Sequence, residues 1–207
     1  MKFTIETNPY DDNKPLYRRK NIEIKPGLTV LIGCNGCGKT TLLQSLQETV
    51  RRNEIPYIKY NNLTDGGTNA TSAAMFHGNI SFAATIMCSS EGERISINLA
   101  NTAKKIGKMI RELKDKENSQ MFIFIDAADS GLSIDNIEDV KEYLFRPAFE
   151  VAKDIELYII VSANTYTMAK DENCFDVYTG NYKTFKNYDE YHKFIMQSRE
   201  RKEKRLE

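Results

Sequence analysis

Short, nearly uninterrupted apolar runs alternate along this chain with longer segments in which apolar residues recur at helical spacing. Runs that are apolar throughout predict strands buried on both faces of a sheet, and runs of alternating polarity predict half-exposed strands. Strand character marks residues 2–7, 18–25, 28–32, 55–60, 121–125 and 155–162. Helical periodicity marks residues 41–53, residues 95–113, a segment from 135 across Pro147, and residues 188–207. This alternation predicts an α/β fold with a mostly parallel central sheet, flanking helices and an N-terminal antiparallel β part.

The amino-acid composition excludes few functions, although the hydrophobic pattern indicates the fold class. The 207 residues suit one domain, or one domain with a small appendage, and 29 basic residues balance 29 acidic ones. Net charge therefore favours no partner, and DNA binding would need a local basic patch. The apolar runs are too short to span a bilayer, and the N-terminus lacks the apolar core of a signal peptide. We expect a cytoplasmic protein without membrane insertion, whose four cysteines are reduced.

One stretch carries the strongest chemical signal: Gly33-Cys34-Asn35-Gly36-Cys37-Gly38-Lys39-Thr40. It fits the phosphate-loop pattern G-x-x-x-x-G-K-[ST], with a predicted strand before it and a predicted helix after it. Backbone N–H groups from Gly33 to Thr41 are expected to surround a polyphosphate, and Lys39 to reach its β- and γ-phosphates. The Thr40 hydroxyl is expected to coordinate Mg²⁺. The cofactors predicted from this motif are ATP and Mg²⁺.

A phosphate loop also needs an acidic residue on a neighbouring strand to hold the metal. Asp126 ends the apolar run at residues 121–125 and is the candidate. A helix or turn cap is the alternative role for an aspartate after a buried strand. The phosphate loop upstream favours the metal role, so Thr40 and Asp126 are the predicted metal ligands and Lys39 and Asp126 the predicted catalytic groups.

Three motifs together resemble those of ABC-type ATPases, including the SMC- and RecF-like DNA-repair branch. Residues 33–43 resemble the phosphate loop of that family, and residues 125–133 resemble its metal-binding strand end and D-loop. Between them, Ser89-Ser90-Glu91-Gly92-Glu93-Arg94 resembles the family's signature motif. The three motifs stand in the family's order over roughly residues 20–165. The resemblance implies a P-loop NTPase fold.

The resemblance also implies a homodimer in the nucleotide-bound state. In the family, the signature lies at a helix N-terminus and contacts the γ-phosphate of ATP bound to the other subunit, so Ser90, Gly92 and Glu93 would contribute to the nucleotide site in trans. Residues 1–187 would form an ABC-type head, with a signature-helix subdomain at about residues 61–120 and a charged helix at 188–207. Lys39 and Ser90 are too close in sequence for the long coiled coil of SMC-type proteins.

The chain departs from that family at the catalytic positions. Ala127 stands where the family has a catalytic Glu, and Asn164 lies near the family's switch His. Asn164 is the third predicted catalytic residue, since it can hydrogen-bond a γ-phosphate or water, but it cannot act as a base near neutral pH. Three explanations remain: slow hydrolysis with ATP as a dimerisation switch, another carboxylate such as Asp129 or the partner's Glu93 in the role, or an engineered Ala127 that traps ATP.

Several secondary signals leave alternatives open. Asn61 or Asn62 could replace the family's Q-loop glutamine, and the adenine-stacking candidates are Tyr10, Tyr17 and Arg18. Cys34 and Cys37 form a C-x-x-C pair, which is either two small loop residues or a redox-sensitive site. The net basic run at residues 199–205 is either a solvated helix end or a contact for nucleic acid or another partner.

The leading functional hypothesis is an ATP-dependent molecular switch in DNA repair, replication or phage–host conflict, with DNA or a nuclease or repair protein as a possible partner. The sequence resembles compact ATP-binding proteins of phages and Gram-positive bacteria that carry the AAA label. The alternative is the nucleotide-binding subunit of a transporter. A P-loop kinase or GTPase is a third hypothesis, against which the signature and D-loop resemblances argue.

Overall fold

The computed structural model describes residues 1–10, 14–62, 91–114, 116 and 119–206, and for residues 91–97 it describes the backbone alone. Strands and helices follow in the order β1 (Lys2–Thr4), β2 (Asn21–Glu23), β3 (Gly27–Ile32), α1 (Lys39–Arg52), β4 (Tyr57–Asn61), α2 (Glu91–Leu113), β5 (Gln120–Asp126), α3 (Ile134–Val140), a π-helical turn (Lys141–Phe145), α4 (Arg146–Val151), β6 (Glu156–Ser162), α5 (Tyr166–Ala169), β7 (Asn173–Asp176), β8 (Asn181–Lys183) and α6 (Tyr188–Leu206).

The central sheet has six strands in the order β4-β5-β6-β3-β7-β8. All neighbouring pairs are parallel except β7 and β8, and β1 pairs with β2 as a separate antiparallel ribbon. The predicted α/β class, with a mostly parallel sheet and an N-terminal antiparallel part, is confirmed. The pattern missed β7, β8 and α5, because elements of three or four residues are too short to show a period.

Side chains on the two faces of the sheet form two separate cores. Val30 of β3 faces the core that contains α2, α3 and α6, whereas its neighbour Leu31 faces the core that contains α1 and the β1–β2 ribbon. Successive residues of a strand point to opposite faces, so a strand buried on both must be apolar at every position. Val30, Leu31 and Ile32 are all fully buried, which explains the continuous apolar run before the phosphate loop.

The C-terminal helix α6 packs on the first of these cores. Its Tyr191 and Phe194 are buried, and their rings contact the ring of Phe185 with centroids 5.2 and 5.5 Å away. The apolar side predicted for this helix is therefore confirmed. Because β3, β5 and β6 are parallel, their carboxyl ends meet at one edge of the sheet, and the candidate site lies there.

Candidate functional site

The phosphate loop adopts a backbone that its glycines permit. Gly38 has φ of 99°, and a Cβ atom there would lie 2.8 Å from Cδ2 of Leu16 and 3.0 Å from the hydroxyl oxygen of Tyr17. A side chain would be strained both by its φ and by these neighbours. The Tyr17 hydroxyl donates a hydrogen bond to the Gly38 carbonyl at 2.8 Å, which anchors the end of the loop to the N-terminal segment. The glycine at this position is thus required by the fold around the loop.

The Lys39 side chain hydrogen-bonds the backbone of the phosphate loop. Its amine donates to the carbonyl oxygens of Gly33 at 2.7 Å and Cys34 at 3.2 Å, and the residue is buried. The amine can exchange these carbonyl oxygens for phosphate oxygens, which are stronger acceptors. Lys39 is therefore placed at the base of a prospective anion site.

Asp126 is the centre of a hydrogen-bonded group at the mouth of the loop. The Thr40 hydroxyl lies 3.2 Å from its Oδ1, and the Asn61 side-chain amide donates to its Oδ2 at 3.3 Å. The Ser162 hydroxyl also donates to Oδ1, and Ser162 Oγ accepts the N–H of Ala127 at 2.8 Å. The sequence analysis identified Thr40 and Asp126 and named Asn61 as a substitute for glutamine, but it did not identify Ser162.

The expectation that Asp126 lies on the strand next to the phosphate-loop strand is wrong. Strand β6 lies between β3 and β5, so Asp126 is on the next strand but one. The carboxylate nevertheless reaches Thr40, because α1 begins directly after the loop and carries Thr40 back across the strand ends. Ser162, at the end of the intervening strand, donates a hydrogen bond to the same Asp126 oxygen. Strand order is a tertiary property, so the sequence around Ser162 does not predict that this residue lies beside Asp126.

Thr40 and Asp126 form a donor set that suits Mg²⁺. They offer a hydroxyl and a carboxylate oxygen 3.2 Å apart at an accessible pocket, and Mg²⁺ prefers oxygen ligands with several retained waters. Within the described part of the chain, no cluster of three or more His, Cys, Asp or Glu side chains is arranged to hold a metal. A zinc site at Cys34 and Cys37 is therefore not supported by any described neighbour.

A pocket of about 290 Å³ brings most of the predicted site residues together. Its lining comprises Tyr10, Asn35, Gly36, Gly38, Lys39, Thr40, Thr41, Asp126, Ala127, Ser162 and Asn164. Gly33 and Cys37 are buried behind the loop, where Gly33 contributes its carbonyl oxygen to Lys39. Larger surface pockets exist elsewhere, but this one contains the convergent polar groups that a phosphate ligand requires.

The signature residues fall at the limit of what the structure describes. Ser90 lies outside the described residues. Gly92 and Glu93 lie in the helical backbone of α2, whose described residues start at Glu91, and the Glu93 side chain is outside the description. Their role at a nucleotide site remains a prediction.

The catalytic positions are occupied by groups that hold structure. Ala127 has φ of 52° and lines the pocket without a carboxylate. Asp129 is buried and accepts the backbone N–H groups of Asn164 at 2.7 Å and Thr165 at 2.6 Å. These bonds hold the loop after β6, so Asp129 is not a free base. Asn164 is exposed at the pocket, where it can reach a ligand.

The three adenine-stacking candidates occupy different environments. Tyr10 is 60% exposed, lines the pocket and shares a 2.6 Å hydrogen bond with the Thr41 hydroxyl. Tyr17 is buried, and burial raises the pKa of its phenol. The Arg18 backbone N–H pairs with the Tyr178 carbonyl at 2.8 Å, away from the pocket lining. Among the three, Tyr10 is the exposed aromatic residue that lines the pocket.

Cys34 and Cys37 are free thiols in contact with each other. The hydrogen bond from the Cys37 thiol lowers the pKa of Cys34 to about 6, with further help from Ser198 and from the charges of Lys202 and Lys39. The same contact, together with burial, raises the pKa of Cys37. The contact therefore shifts the pKa values of the two thiols in opposite directions, so that Cys34 is the more acidic of the pair.

Comparisons with known proteins identify a family for most of the chain. A family model described as an AAA domain matches residues 23–165. No curated protein matches the sequence. Among solved structures, CbiO1 from Clostridium perfringens, part of the ABC transporter complex CbiONQ, is 17% identical with a TM-score of 0.46, over 97% of this chain and 93% of its own. Cdc6p from Pyrobaculum aerophilum is 20% identical with a TM-score of 0.34, over 68% of this chain and 33% of its own. Drosophila ORC, in a structure bound to DNA, is 16% identical with a TM-score of 0.36, over 84% of this chain and 40% of its own.

Proposed function

This chain belongs to the AAA domain family of P-loop ATPases, and from that premise we propose that it is an ATP-dependent dimerisation switch that hydrolyses ATP slowly. The observation that carries the proposal is the arrangement around Asp126. The Thr40 hydroxyl and Asp126 Oδ1 lie 3.2 Å apart and would be the metal ligands, while the next residue, Ala127, which has no carboxylate, lines the same pocket. The site is thus equipped to bind Mg·ATP and lacks the usual base beside it.

Binding follows from groups that are already in place. Lys39 would exchange the Gly33 and Cys34 carbonyl oxygens for phosphate oxygens, and the N–H groups of the loop and of the start of α1 would surround the remaining charge. Thr40 and Asp126 would hold Mg²⁺, and Asn61 and Ser162 would keep the Asp126 carboxylate in its orientation. When bound, Mg²⁺ neutralises charge on the phosphate oxygens. Tyr10 would stack on adenine.

Slow hydrolysis follows from the shortage of a proton acceptor. Asp126 is the one carboxylate among the described residues that line the pocket, and it is occupied by hydrogen bonds to Thr40, Asn61 and Ser162. Asn164 can orient a water molecule but cannot accept its proton. A missing general base lowers the rate by about 10²- to 10⁴-fold. Bound ATP would therefore persist long enough to act as a conformational signal.

Dimerisation is proposed from the resemblance of the three motifs to those of ABC-type ATPases of the SMC/RecF-like branch. The pocket is open to solvent at Tyr10 and Asn164, which leaves a face on which a second subunit could rest. The described part of α2 starts at Glu91, within the signature-like segment at residues 89–94, and the resemblance implies that the helix N-terminus would face the γ-phosphate bound by the partner. Two chains would then enclose two ATP molecules, with Ser90, Gly92 and Glu93 acting in trans.

The setting we propose is DNA repair, replication or phage–host conflict, with DNA, a nuclease or a repair protein as the partner. The support is the resemblance of the three motifs to those of the SMC- and RecF-like DNA-repair branch. No helix in the described ranges is both long and apolar enough to cross a membrane. A salt-dependent affinity for DNA that increases with ATP would support this setting.

The decisive experiment is the oligomeric state with and without nucleotide. The molar mass is measured by multi-angle light scattering in Mg·ATP, in Mg·ADP and without nucleotide. We expect a dimer in Mg·ATP and a monomer in the other two conditions. Lys39→Ala should abolish the ATP-dependent dimer, since it removes the loop's cation, whereas Lys59→Ala, on the exposed side of β4, should retain it. A chain that binds ATP but stays monomeric at all protein concentrations would remove dimerisation from the proposal, and a chain that does not bind ATP would remove its basis.

A further inference from the structure

The C-terminal helix α6 reaches both sides of the candidate nucleotide site. The Ser198 hydroxyl oxygen accepts the backbone N–H of Cys34 at 3.1 Å, and the Lys202 amine donates to the Asn35 carbonyl at 3.0 Å. Nearer the start of the helix, the Tyr191 hydroxyl donates to the Asn164 carbonyl at 2.8 Å. Residues 191, 198 and 202 lie on one helical face, because separations of seven and four residues return to nearly the same direction.

The contact at Asn35 fixes the direction of a peptide group in the loop. The Asn35 carbonyl and the Gly36 N–H belong to the same peptide unit, and the described chain contains no cis peptide bond. In a planar trans peptide these two groups point in opposite directions. Lys202 lines a crevice between α6 and the outer side of the loop, together with Leu16, Cys37 and Ser198. With the carbonyl held toward that crevice, the Gly36 N–H is directed to the side on which Asn35 and Gly36 line the nucleotide pocket.

We propose that Lys202 and Ser198 are positioning residues for ATP, which hold the phosphate loop so that the Gly36 N–H faces the bound phosphates. This role rests on the proposed function, because it concerns how ATP is held. Phosphate loops bind anions through converging N–H groups, so turning one peptide over removes a donor and presents a carbonyl oxygen to the anion. Gly36 has φ of 74°, and because glycine has no Cβ it tolerates many backbone conformations. The peptide plane between Asn35 and Gly36 could therefore turn over if nothing held it.

The surroundings of Lys202 support a specific contact. A Cβ atom at Gly36 would lie 3.0 Å from the Lys202 amine nitrogen, so the lysine rests directly on the loop. The helix is held on the core by Tyr191 and Phe194, and its last turn is tied back by Lys14, whose amine donates to the Lys204 carbonyl at 2.6 Å. Ser198 is buried, so its hydroxyl has little freedom to leave the Cys34 N–H. The basic C-terminal run, whose role the sequence leaves open, thus has a defined role at Lys202.

The test compares substitutions that separate a hydrogen bond from a charge. Lys202→Met keeps the aliphatic stem without a donor, Lys202→Gln restores a neutral donor, and Lys204→Met removes an equal charge from an exposed position two residues away. ATP affinity is measured by calorimetry, and the Gly36 amide is followed by ¹H–¹⁵N NMR without nucleotide. We expect Lys202→Met to weaken ATP binding about tenfold and to shift the Gly36 amide resonance. Lys202→Gln should recover most of the affinity, and Lys204→Met should match the unaltered chain.

The results distinguish this role from the function on which it rests. If the unaltered chain binds ATP and Lys202→Met binds it equally well with an unchanged Gly36 amide, the positioning role is wrong and the proposed function stands. An equal loss in Lys202→Met and Lys204→Met would also overturn the role, because net charge alone would then explain it. If the unaltered chain does not bind ATP, the proposed function fails, and the amide measurement still decides whether Lys202 sets the peptide. Ser198→Ala, which removes the other anchor, should weaken ATP binding in the same direction.

Discussion

The Ser162 hydroxyl donates a hydrogen bond to Oδ1 of Asp126, although the two residues are 36 positions apart in the sequence. They meet because β5 and β6 are adjacent parallel strands that end at the same edge. The same serine oxygen accepts the N–H of Ala127 at 2.8 Å, so it fixes both the carboxylate and the peptide that follows it. The geometry of the proposed metal site therefore depends on a residue that contributes no ligand.

Replacing Ser162 by alanine should affect both stability and the use of magnesium. The Ala127 N–H would keep only its 3.1 Å contact with Asp126, and a weakened buried hydrogen bond lowers the free energy of unfolding by about 1–2 kcal/mol. ATP binding should become less dependent on Mg²⁺. Urea denaturation and calorimetry with and without Mg²⁺ would measure these effects. The partly exposed Ser45→Ala should change stability by less than about 0.5 kcal/mol, and equal stability of both variants would contradict the role of Ser162.

Introducing a carboxylate at position 127 should accelerate hydrolysis. Ala127→Glu adds little new backbone strain, since alanine already has φ of 52° there, and because residue 127 lines the pocket the new side chain is expected to reach it. We expect steady-state turnover to rise at least about tenfold, because a general base would be restored. Ala127→Gln has the same size without a base and should remain slow. Rapid turnover by the unaltered chain that Lys39→Ala abolishes would show that the chain already has a base.

Stacking on Tyr10 predicts a base-dependent loss of affinity. Tyr10→Ala should weaken ATP binding by about five- to tenfold, since stacking of a base on an aromatic ring contributes about 1 kcal/mol or more. Tyr10→Phe loses the 2.6 Å hydrogen bond to Thr41 but keeps the ring, and it should bind ATP nearly as well as the unaltered chain. Inorganic tripolyphosphate contains no base, so its affinity should be the same in all three proteins. A similar loss for tripolyphosphate in Tyr10→Ala would instead assign Tyr10 to the phosphate loop.

The two thiols of the loop predict a titration below the ordinary range. The contact with Cys37 lowers the pKa of Cys34 to about 6, so the thiolate should form as the pH rises through that value and persist at neutral pH. Ultraviolet absorbance of the thiolate, followed against pH, should show this step in the unaltered chain. Cys34→Ser should remove it, and Cys37→Ala should move it upward because the hydrogen bond to the thiolate is lost. An unchanged titration in Cys34→Ser would assign the step to another group.

Oxidation of this pair should suppress nucleotide binding. A peroxide would convert both thiols to a disulfide with release of two water molecules, and the bond would pull on the loop between Gly33 and Gly38. ATP affinity should fall after peroxide treatment and return with a reducing agent. Cys37→Ser cannot form the bond and should keep its affinity. Equal ATP affinity of the unaltered chain in oxidising and reducing buffer would dispose of the redox role.

The sequence was most informative where chemistry and local geometry coincide. The phosphate loop requires glycines, a lysine and a threonine at fixed spacing, and the helix it opens, α1, begins at Lys39. The buried strands were visible because both faces of the central sheet are apolar, as at Val30 and Leu31. The ends of these strands identified Asp126 and Asn164 as candidates. Ala127 was equally visible, because an absent carboxylate is a property of the residue itself.

The tertiary structure alone decided which distant residues complete the site. Ser162 contacts Asp126 because β6 lies between β3 and β5, and Ser198 and Lys202 reach the phosphate loop because α6 packs across it. Burial likewise distinguished Tyr10 from Tyr17, which the sequence treats alike. The physical reason is the range of the interactions. Backbone propensity and hydrophobic period act over a few residues, whereas strand order and helix docking are set by packing between segments far apart in the chain.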